Sequence, residues 1–96
     1  MYIRNIRHKG LKKFYLDGEI KGVPANAVKK LKNILGYMQS IESLEELKVL
    51  PMWNVHELKG NRKGTWSLSV TRNWRLTFNY DPQKNEIYDL DFEDYH

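Results

Sequence analysis

The chain has 96 residues and a mass of 11.5 kDa, so we predict a single domain over residues 1–96 with one hydrophobic core. It has no cysteine, which excludes disulfides, thiolate zinc sites and a cysteine nucleophile. Residues 1–80 carry 15 Lys and Arg against 6 Asp and Glu, whereas residues 81–96 carry 1 against 6. The basic part predicts a phosphate-bearing partner, with nucleic acid as the leading class.

Apolar residues are spread evenly along the chain, and the longest wholly apolar run has three residues. A signal peptide needs an apolar stretch of about 7 to 15 residues, and a membrane span needs about 20. We therefore expect a cytoplasmic protein without a membrane partner.

The N-terminal half has the periodicity of helices. After a short β-type pattern in residues 1–6, Leu11, Phe14 and Tyr15 recur at helical spacing, and Gly18 suits the C-terminal end of that helix. Pro24 is placed as a first-turn proline before a longer apolar repeat over residues 28–41. A capping-box pattern in residues 43–46 predicts one more helical turn before Pro51, which ends it.

The C-terminal half has the alternation of strands. Four strands are predicted, over residues 53–58, 65–70, 74–80 and 87–92, with turns between them. Consecutive strands with short turns form an antiparallel meander, which packs one face on helices and leaves the other open.

Strand parity then assigns side chains to the two faces of this sheet. The face toward the helices is predicted to hold Trp66, Leu68, Val70, Trp74, Leu76, Phe78 and Tyr80. The open face is predicted to hold Thr65, Ser67, Ser69, Arg75, Thr77 and Asn79, and the loops add Lys59, Arg62, Lys63 and Arg72 around it. The result is a polar, cationic surface.

The histidines His8, His56 and His96 lie far apart and match no metal-ligand spacing, so we predict no metal and no cofactor. His56 and Lys59 stand at a strand end, either as part of a functional site or of an ordinary surface hairpin. Residues 94–96 place a carboxylate, a phenol and an imidazole together, either at the edge of the sheet or in a frayed tail.

If that edge meets the cationic face, the groups suit cleavage of RNA. The 2′-hydroxyl attacks the adjacent phosphorus, which requires a proton acceptor, a proton donor and cations that stabilise the added negative charge. Histidine serves as acid or base near neutral pH, and guanidinium matches phosphate oxygens. This chemistry requires RNA and no metal.

Four motifs together resemble the HigB-type toxins, or plasmid maintenance killer proteins, of the RelE/ParE superfamily. They are HKGL at residues 8–11, WNVHELKG at 53–60, WSLSVTRNWRLTF at 66–78 and EDYH at 93–96. The resemblance covers nearly the whole chain. It implies an α+β, RelE-like fold, with a curved antiparallel β-sheet and the N-terminal helices packed on one face.

The resemblance also implies an activity and partners. The toxin would be a ribosome-dependent endoribonuclease that cleaves mRNA in the A site of the small ribosomal subunit, in contact with rRNA, and so inhibits translation. Its antitoxin would be a HigA-type helix-turn-helix protein that forms a heterotetramer with it. Two alternatives stay open: a ParE-like inhibitor of DNA gyrase without enzymatic activity, and a non-catalytic RNA-binding module.

Carried over residue by residue, the resemblance identifies a candidate catalytic group. It consists of His56, Lys59, Arg75, Asp94, Tyr95 and His96. Arg75 and Lys59 would contact the scissile phosphate, His56 or His96 would transfer protons, and Tyr95 would stack on or orient a base. The candidates for binding RNA or the ribosome are Lys9, Lys12, Lys13, Arg62, Lys63 and Arg72.

Overall fold

The computed structural model describes residues 1–95, in which three α-helices and five β-strands form an α+β fold. The elements are β1 (Tyr2–Ile3), α1 (Lys9–Asp17), α2 (Val28–Ser40), α3 (Leu44–Lys48), β2 (His56–Glu57), β3 (Thr65–Ser69), β4 (Trp74–Asp81) and β5 (Glu86–Asp94). Short 3-10 turns lie at Ala25–Ala27, Pro51–Trp53 and Gly60–Arg62. The predicted order of helices followed by strands is confirmed.

Some of the helix ends lie where the sequence signals indicate, namely the end of α1 at Gly18 and the start of α3 at Ser43. Helix α1 is capped by His8, whose Nδ1 accepts a hydrogen bond from the Leu11 N–H at 3.0 Å, and it ends at Gly18 with φ of 73°. Helix α3 has the predicted capping box between Ser43 and Glu46. In contrast, Pro24 precedes a 3-10 turn, so α2 begins four residues after it. No helix in residues 1–95 is long and apolar enough to cross a membrane.

The sheet has the strand order β1-β5-β4-β3-β2. Strands β2 to β5 form the predicted antiparallel meander, and β1 joins its far edge parallel to β5. The strand predicted over residues 53–58 is reduced to β2, because a 3-10 turn and the left-handed Asn54, with φ of 48°, precede it. A bulge shifts the register of β4 and β5 between Thr77 and Asn79 and bends the sheet.

The hydrophobic core lies between the helices and one face of the sheet. Its fully buried members are Leu11, Leu31, Ile34, Met38, Leu47, Leu68, Leu76, Phe78, Ile87 and Leu90. The predicted core residues Trp66, Trp74 and Tyr80 are only partly buried and pack against its margin. The Lys48 Nζ lies 5.1 Å from the centre of the partly buried Trp66 ring, in cation–π geometry.

The start of α1 packs directly against the loop before α2. A Cβ atom placed on Gly10 would lie 2.1 Å from the carbonyl oxygen of Gly22, and one placed on Gly22 would lie 2.5 Å from the Gly10 Cα. Two backbones can approach this closely only where neither residue has a side chain.

We therefore expect Gly10→Ala to lower the free energy of unfolding by about 1 to 3 kcal/mol, which is the usual cost of overpacking. Urea denaturation measures this change. Gly36→Ala is the control, since a Cβ atom on this helical glycine meets nothing within 4 Å. It should stabilise the protein by up to about 1 kcal/mol. Equal stability of the two variants would contradict the close contact.

Candidate active site

The open face of the sheet is built from rows of side chains that the strand register places opposite each other. One row runs from His56 through Ser67 and Thr77 to Asp91, and the next runs through Ser69, Arg75 and Glu93. The predicted parity is therefore correct. The centre of this face is nevertheless not open to solvent, because Ser67 and Thr77 are only 3% and 2% exposed.

Glu93 is the centre of a hydrogen-bonded cluster on this face. Arg62 binds it with both terminal nitrogens, Nη1 to Oε1 at 3.0 Å and Nη2 to Oε2 at 2.7 Å. Arg75 Nη2 donates to Oε1 at 3.3 Å, and the Thr77 hydroxyl donates to Oε2. We call these four residues the Glu93 cluster.

The cluster keeps Glu93 ionised. The hydrogen bonds from Arg62 outweigh the effect of burial and, with those from Thr77 and Arg75, lower the pKa of Glu93 to about 2. The same carboxylate raises the pKa of Arg62. Both partners are therefore charged throughout the physiological pH range.

Arg75 has a second set of contacts. Its guanidinium carbon lies 5.0 Å from the centre of the Tyr95 ring, in cation–π geometry. The Tyr95 backbone N–H donates to the Asn73 carbonyl oxygen at 3.1 Å, which continues the β4–β5 pairing to the end of the described chain. The Arg75 Nε is buried and has no hydrogen-bond partner among the described residues. The Arg75 side chain is 20% exposed through its other atoms.

His56 begins β2 and is exposed at the outer end of the first row. Its Nδ1 lies 2.8 Å from the Asn54 carbonyl oxygen. A carbonyl oxygen only accepts hydrogen bonds, so Nδ1 carries the proton in this contact, and in the neutral ring Nε2 is the acceptor. The geometry thus leaves Nε2 able to take a proton.

The remaining candidates are spread over two layers. Lys59, Lys63 and Arg72 are exposed in the turns that flank the open face. Lys9, Lys12 and Lys13 lie on α1, in the helical layer that packs on the opposite face of the sheet. The three lysines of α1 are therefore separated from Arg75 by the sheet.

The C-terminal candidates differ in position. Asp94 ends β5 opposite Trp74, on the strand face of Phe92 and not on that of Glu93. Tyr95 is 44% exposed beside Arg75. His96 lies outside the described residues.

No group of three or more His, Cys, Asp or Glu side chains in residues 1–95 is arranged to hold a metal ion. The open face instead carries the guanidiniums of Arg62 and Arg75 beside the Glu93 carboxylate, and the imidazole of His56 at its outer end.

Sequence reasoning missed Glu93 and Thr77 as members of the site. Parity puts both on the face of Arg75, and an acidic residue in β5 opposite an arginine in β4 is a usable signal once the register is known. The contact of Arg62 with Glu93 spans 31 residues, and no local pattern indicates it.

The fold has clear relatives among solved structures. The YoeB/ParE toxin from Agrobacterium tumefaciens matches 97% of this chain and 99% of its own, with a TM-score of 0.58 and 15% identity. RelBE2, a toxin–antitoxin complex from Mycobacterium tuberculosis, contains a chain that matches with a TM-score of 0.56 and 16% identity, over 97% of this chain and 96% of that one. The architecture is that of the RelE, YoeB and ParE toxins.

The sequence narrows this class to one family. Residues 4–96 match the family described as the RelE-like toxin of type II toxin–antitoxin system HigB. A protein named Endoribonuclease HigB, from Proteus vulgaris, is 38% identical over 98% of this chain and 99% of its own length. The chain belongs to the HigB-like toxins, as its four motifs suggested.

The low pKa of Glu93 makes stability depend on pH. The folded-state pKa is about 2, against an ordinary value of 4.5, so the contribution of Glu93 is complete above pH 4.5 and is lost as the pH falls toward 2. Near pH 6 we expect the free energy of unfolding of the wild-type protein to be about 1 kcal/mol higher than that of Glu93→Gln. The difference is small because partial exposure to solvent screens the ion pairs.

The measurement is the free energy of unfolding of both proteins between pH 6 and pH 2.5, where the two values should converge. Asp91→Asn removes one carboxylate from the same strand and face, and it reports the general effect of losing a negative charge. A difference that stays constant down to pH 2.5 would contradict an ionised, hydrogen-bonded Glu93.

Proposed function

We propose that this HigB-like toxin is a ribosome-dependent endoribonuclease that cleaves mRNA in the A site and so inhibits translation. The observation that carries the proposal is the arrangement around Arg75, whose partly exposed guanidinium contacts both the Glu93 carboxylate and the Tyr95 ring. His56 lies on the same face with an acceptor nitrogen. The name of the Proteus vulgaris relative supports the same activity.

The chemistry needs no metal. A base removes the proton of the 2′-hydroxyl, the 2′-oxygen bonds to phosphorus, and the bond from phosphorus to the 5′-oxygen breaks as an acid protonates that oxygen. The products are a 2′,3′-cyclic phosphate and a 5′-hydroxyl end. In this scheme Arg75 and Lys59 stabilise the charge that develops on the phosphate.

The family resemblance suggests the remaining roles. His56 and His96 are the two imidazoles available as base and acid, and Asp94 precedes the second of them in the sequence. Tyr95, exposed and in contact with the Arg75 guanidinium, offers a surface on which a nucleotide base can stack.

The shape of the site supports dependence on the ribosome. The face is bordered by exposed turns and offers few groups that fix an RNA chain in line for attack, so a second body must hold the substrate. The exposed Lys63 and Arg72 can contact the mRNA or rRNA near the site, and Lys9, Lys12 and Lys13 of α1 can contact rRNA on the helical side. The protein would act in the cytoplasm, with translating ribosomes.

The type II family implies a protein antitoxin as a partner. The RelBE2 neighbour was solved as a toxin–antitoxin complex, which supports such an assembly. We propose that a HigA-type helix-turn-helix antitoxin binds this toxin as a heterotetramer.

The test is primer-extension mapping of mRNA incubated with programmed ribosomes and purified protein in EDTA-treated reactions. We expect discrete cuts at the A-site codon, and we expect Arg75→Gln to lower their rate by about 100-fold, the usual cost of losing one donor to a developing charge. His96→Ala should also lower the rate. Arg4→Gln is the control, since Arg4 is paired with Asp81 and Glu86 at the other end of β5.

Other outcomes decide against the proposal. Rapid cleavage of naked RNA would contradict the dependence on the ribosome. A folded, toxic protein that makes no cuts would favour inhibition of gyrase, which a DNA supercoiling assay then measures. A folded protein that binds RNA without cleavage or toxicity would favour the binding module.

A further inference from the structure

The two arginines of the Glu93 cluster are held differently. Arg62 uses both terminal nitrogens on both carboxylate oxygens, at 3.0 and 2.7 Å. Arg75 uses one nitrogen at 3.3 Å and keeps a buried Nε without a partner. A two-point, charge-assisted contact is stronger and more directional than a single long one. Glu93 therefore holds Arg62 by both terminal nitrogens, whereas it holds Arg75 by only one.

Arg62 also joins two parts of the fold. It ends the 3-10 turn Gly60–Arg62, whose neighbours Lys59 and Lys63 are exposed, and its side chain reaches β5. The contact thus links the turn that carries two cations to the strand beside Arg75.

Thr77 completes the arrangement. Its hydroxyl is buried and donates to the Glu93 Oε2, the oxygen that also accepts from Arg62 Nη2. Rotation of the carboxylate toward Arg75 would break both of these hydrogen bonds. Glu93 is consequently fixed in an orientation that favours Arg62.

We propose that Glu93 is a positioning residue of the RNA site, which engages Arg62 as a tether for the turn at residues 60–62 and leaves Arg75 to bind the scissile phosphate. This inference rests on the proposed function for its substrate. It changes the role of Arg62, which the sequence suggested as an RNA contact. In this arrangement Arg62 makes no contact with RNA phosphate and acts through the placement of Lys59 and Arg75.

Salt dependence distinguishes a tether from a phosphate contact. Each phosphate neutralised on a single strand contributes about −0.7 to the slope of log K against log salt concentration. The decisive variant is Arg62→Gln/Glu93→Gln, which removes one positive and one negative charge and so keeps the net charge of +4. Its RNA affinity is measured by fluorescence anisotropy on a single-stranded oligonucleotide with 2′-O-methyl groups, which block cleavage, from 50 to 300 mM KCl.

We expect the double variant to keep the wild-type slope, and Arg75→Gln to reduce the magnitude of the slope by about 0.7. On programmed ribosomes the double variant should lose about tenfold or more in kcat with KM within about twofold, because the tether aligns groups without binding substrate. The matched control is Arg4→Gln/Glu86→Gln, which deletes another Arg–Glu pair, with an Nε to Oε1 distance of 2.8 Å, far from Arg75. This control should change neither the salt-dependence slope nor kcat.

If the double variant does not fold, as judged by thermal unfolding, Arg62→Lys replaces it. Lysine keeps the charge but cannot bind both carboxylate oxygens as a planar fork. This variant should show the wild-type slope and a reduced kcat.

Three results would overturn the inference. They are a slope reduced as much as in Arg75→Gln, an unchanged kcat, or a wild-type protein that binds no RNA. A wild-type protein that binds RNA but cuts no mRNA on ribosomes contradicts only the proposed function. The comparison of slopes still decides the role of Arg62 in that case.

Discussion

The open face depends on one carboxylate. Glu93 accepts hydrogen bonds from a turn residue, Arg62, and from two residues of the neighbouring strand, Arg75 and Thr77. Two guanidiniums brought this close would repel each other, and the buried Thr77 hydroxyl would lack an acceptor, if the carboxylate were absent. A single negative charge therefore makes a concentrated positive site compatible with a folded sheet.

The helices make this arrangement rigid from the other side of the sheet. Leu76 and Phe92 alternate with Thr77 and Glu93 along β4 and β5, and both are buried against the core. A strand whose alternate side chains are packed to this extent cannot shift by one residue without exposing them. The register that sets Arg75 opposite Glu93 is thus determined by hydrophobic packing on the face away from the site.

The sequence predicts the parts of this structure that depend on local pattern. Helical spacing placed α1 and α2, alternation placed β3 to β5, and parity alone put Arg75 on the open face. The parallel pairing of β1 with β5 has no local signal, because it joins the two ends of the chain. The contact of Arg62 with Glu93 also has no local signal. It joins a turn to a distant strand, and the spacing of residues in the sequence does not indicate such tertiary contacts.

The charges of the chain are separated in sequence but interleaved in space. Acidic residues of the C-terminal segment pair with arginines of the basic part, Glu86 with Arg4 and Glu93 with Arg62. Lys59 and Lys63, in contrast, are exposed at the turn beside the open face. If the proposed function is correct, an approaching phosphate chain meets these lysines first, because long-range attraction steers binding. In that proposal the chain then reaches Arg75, whose guanidinium is already in contact with the Glu93 carboxylate and the Tyr95 ring.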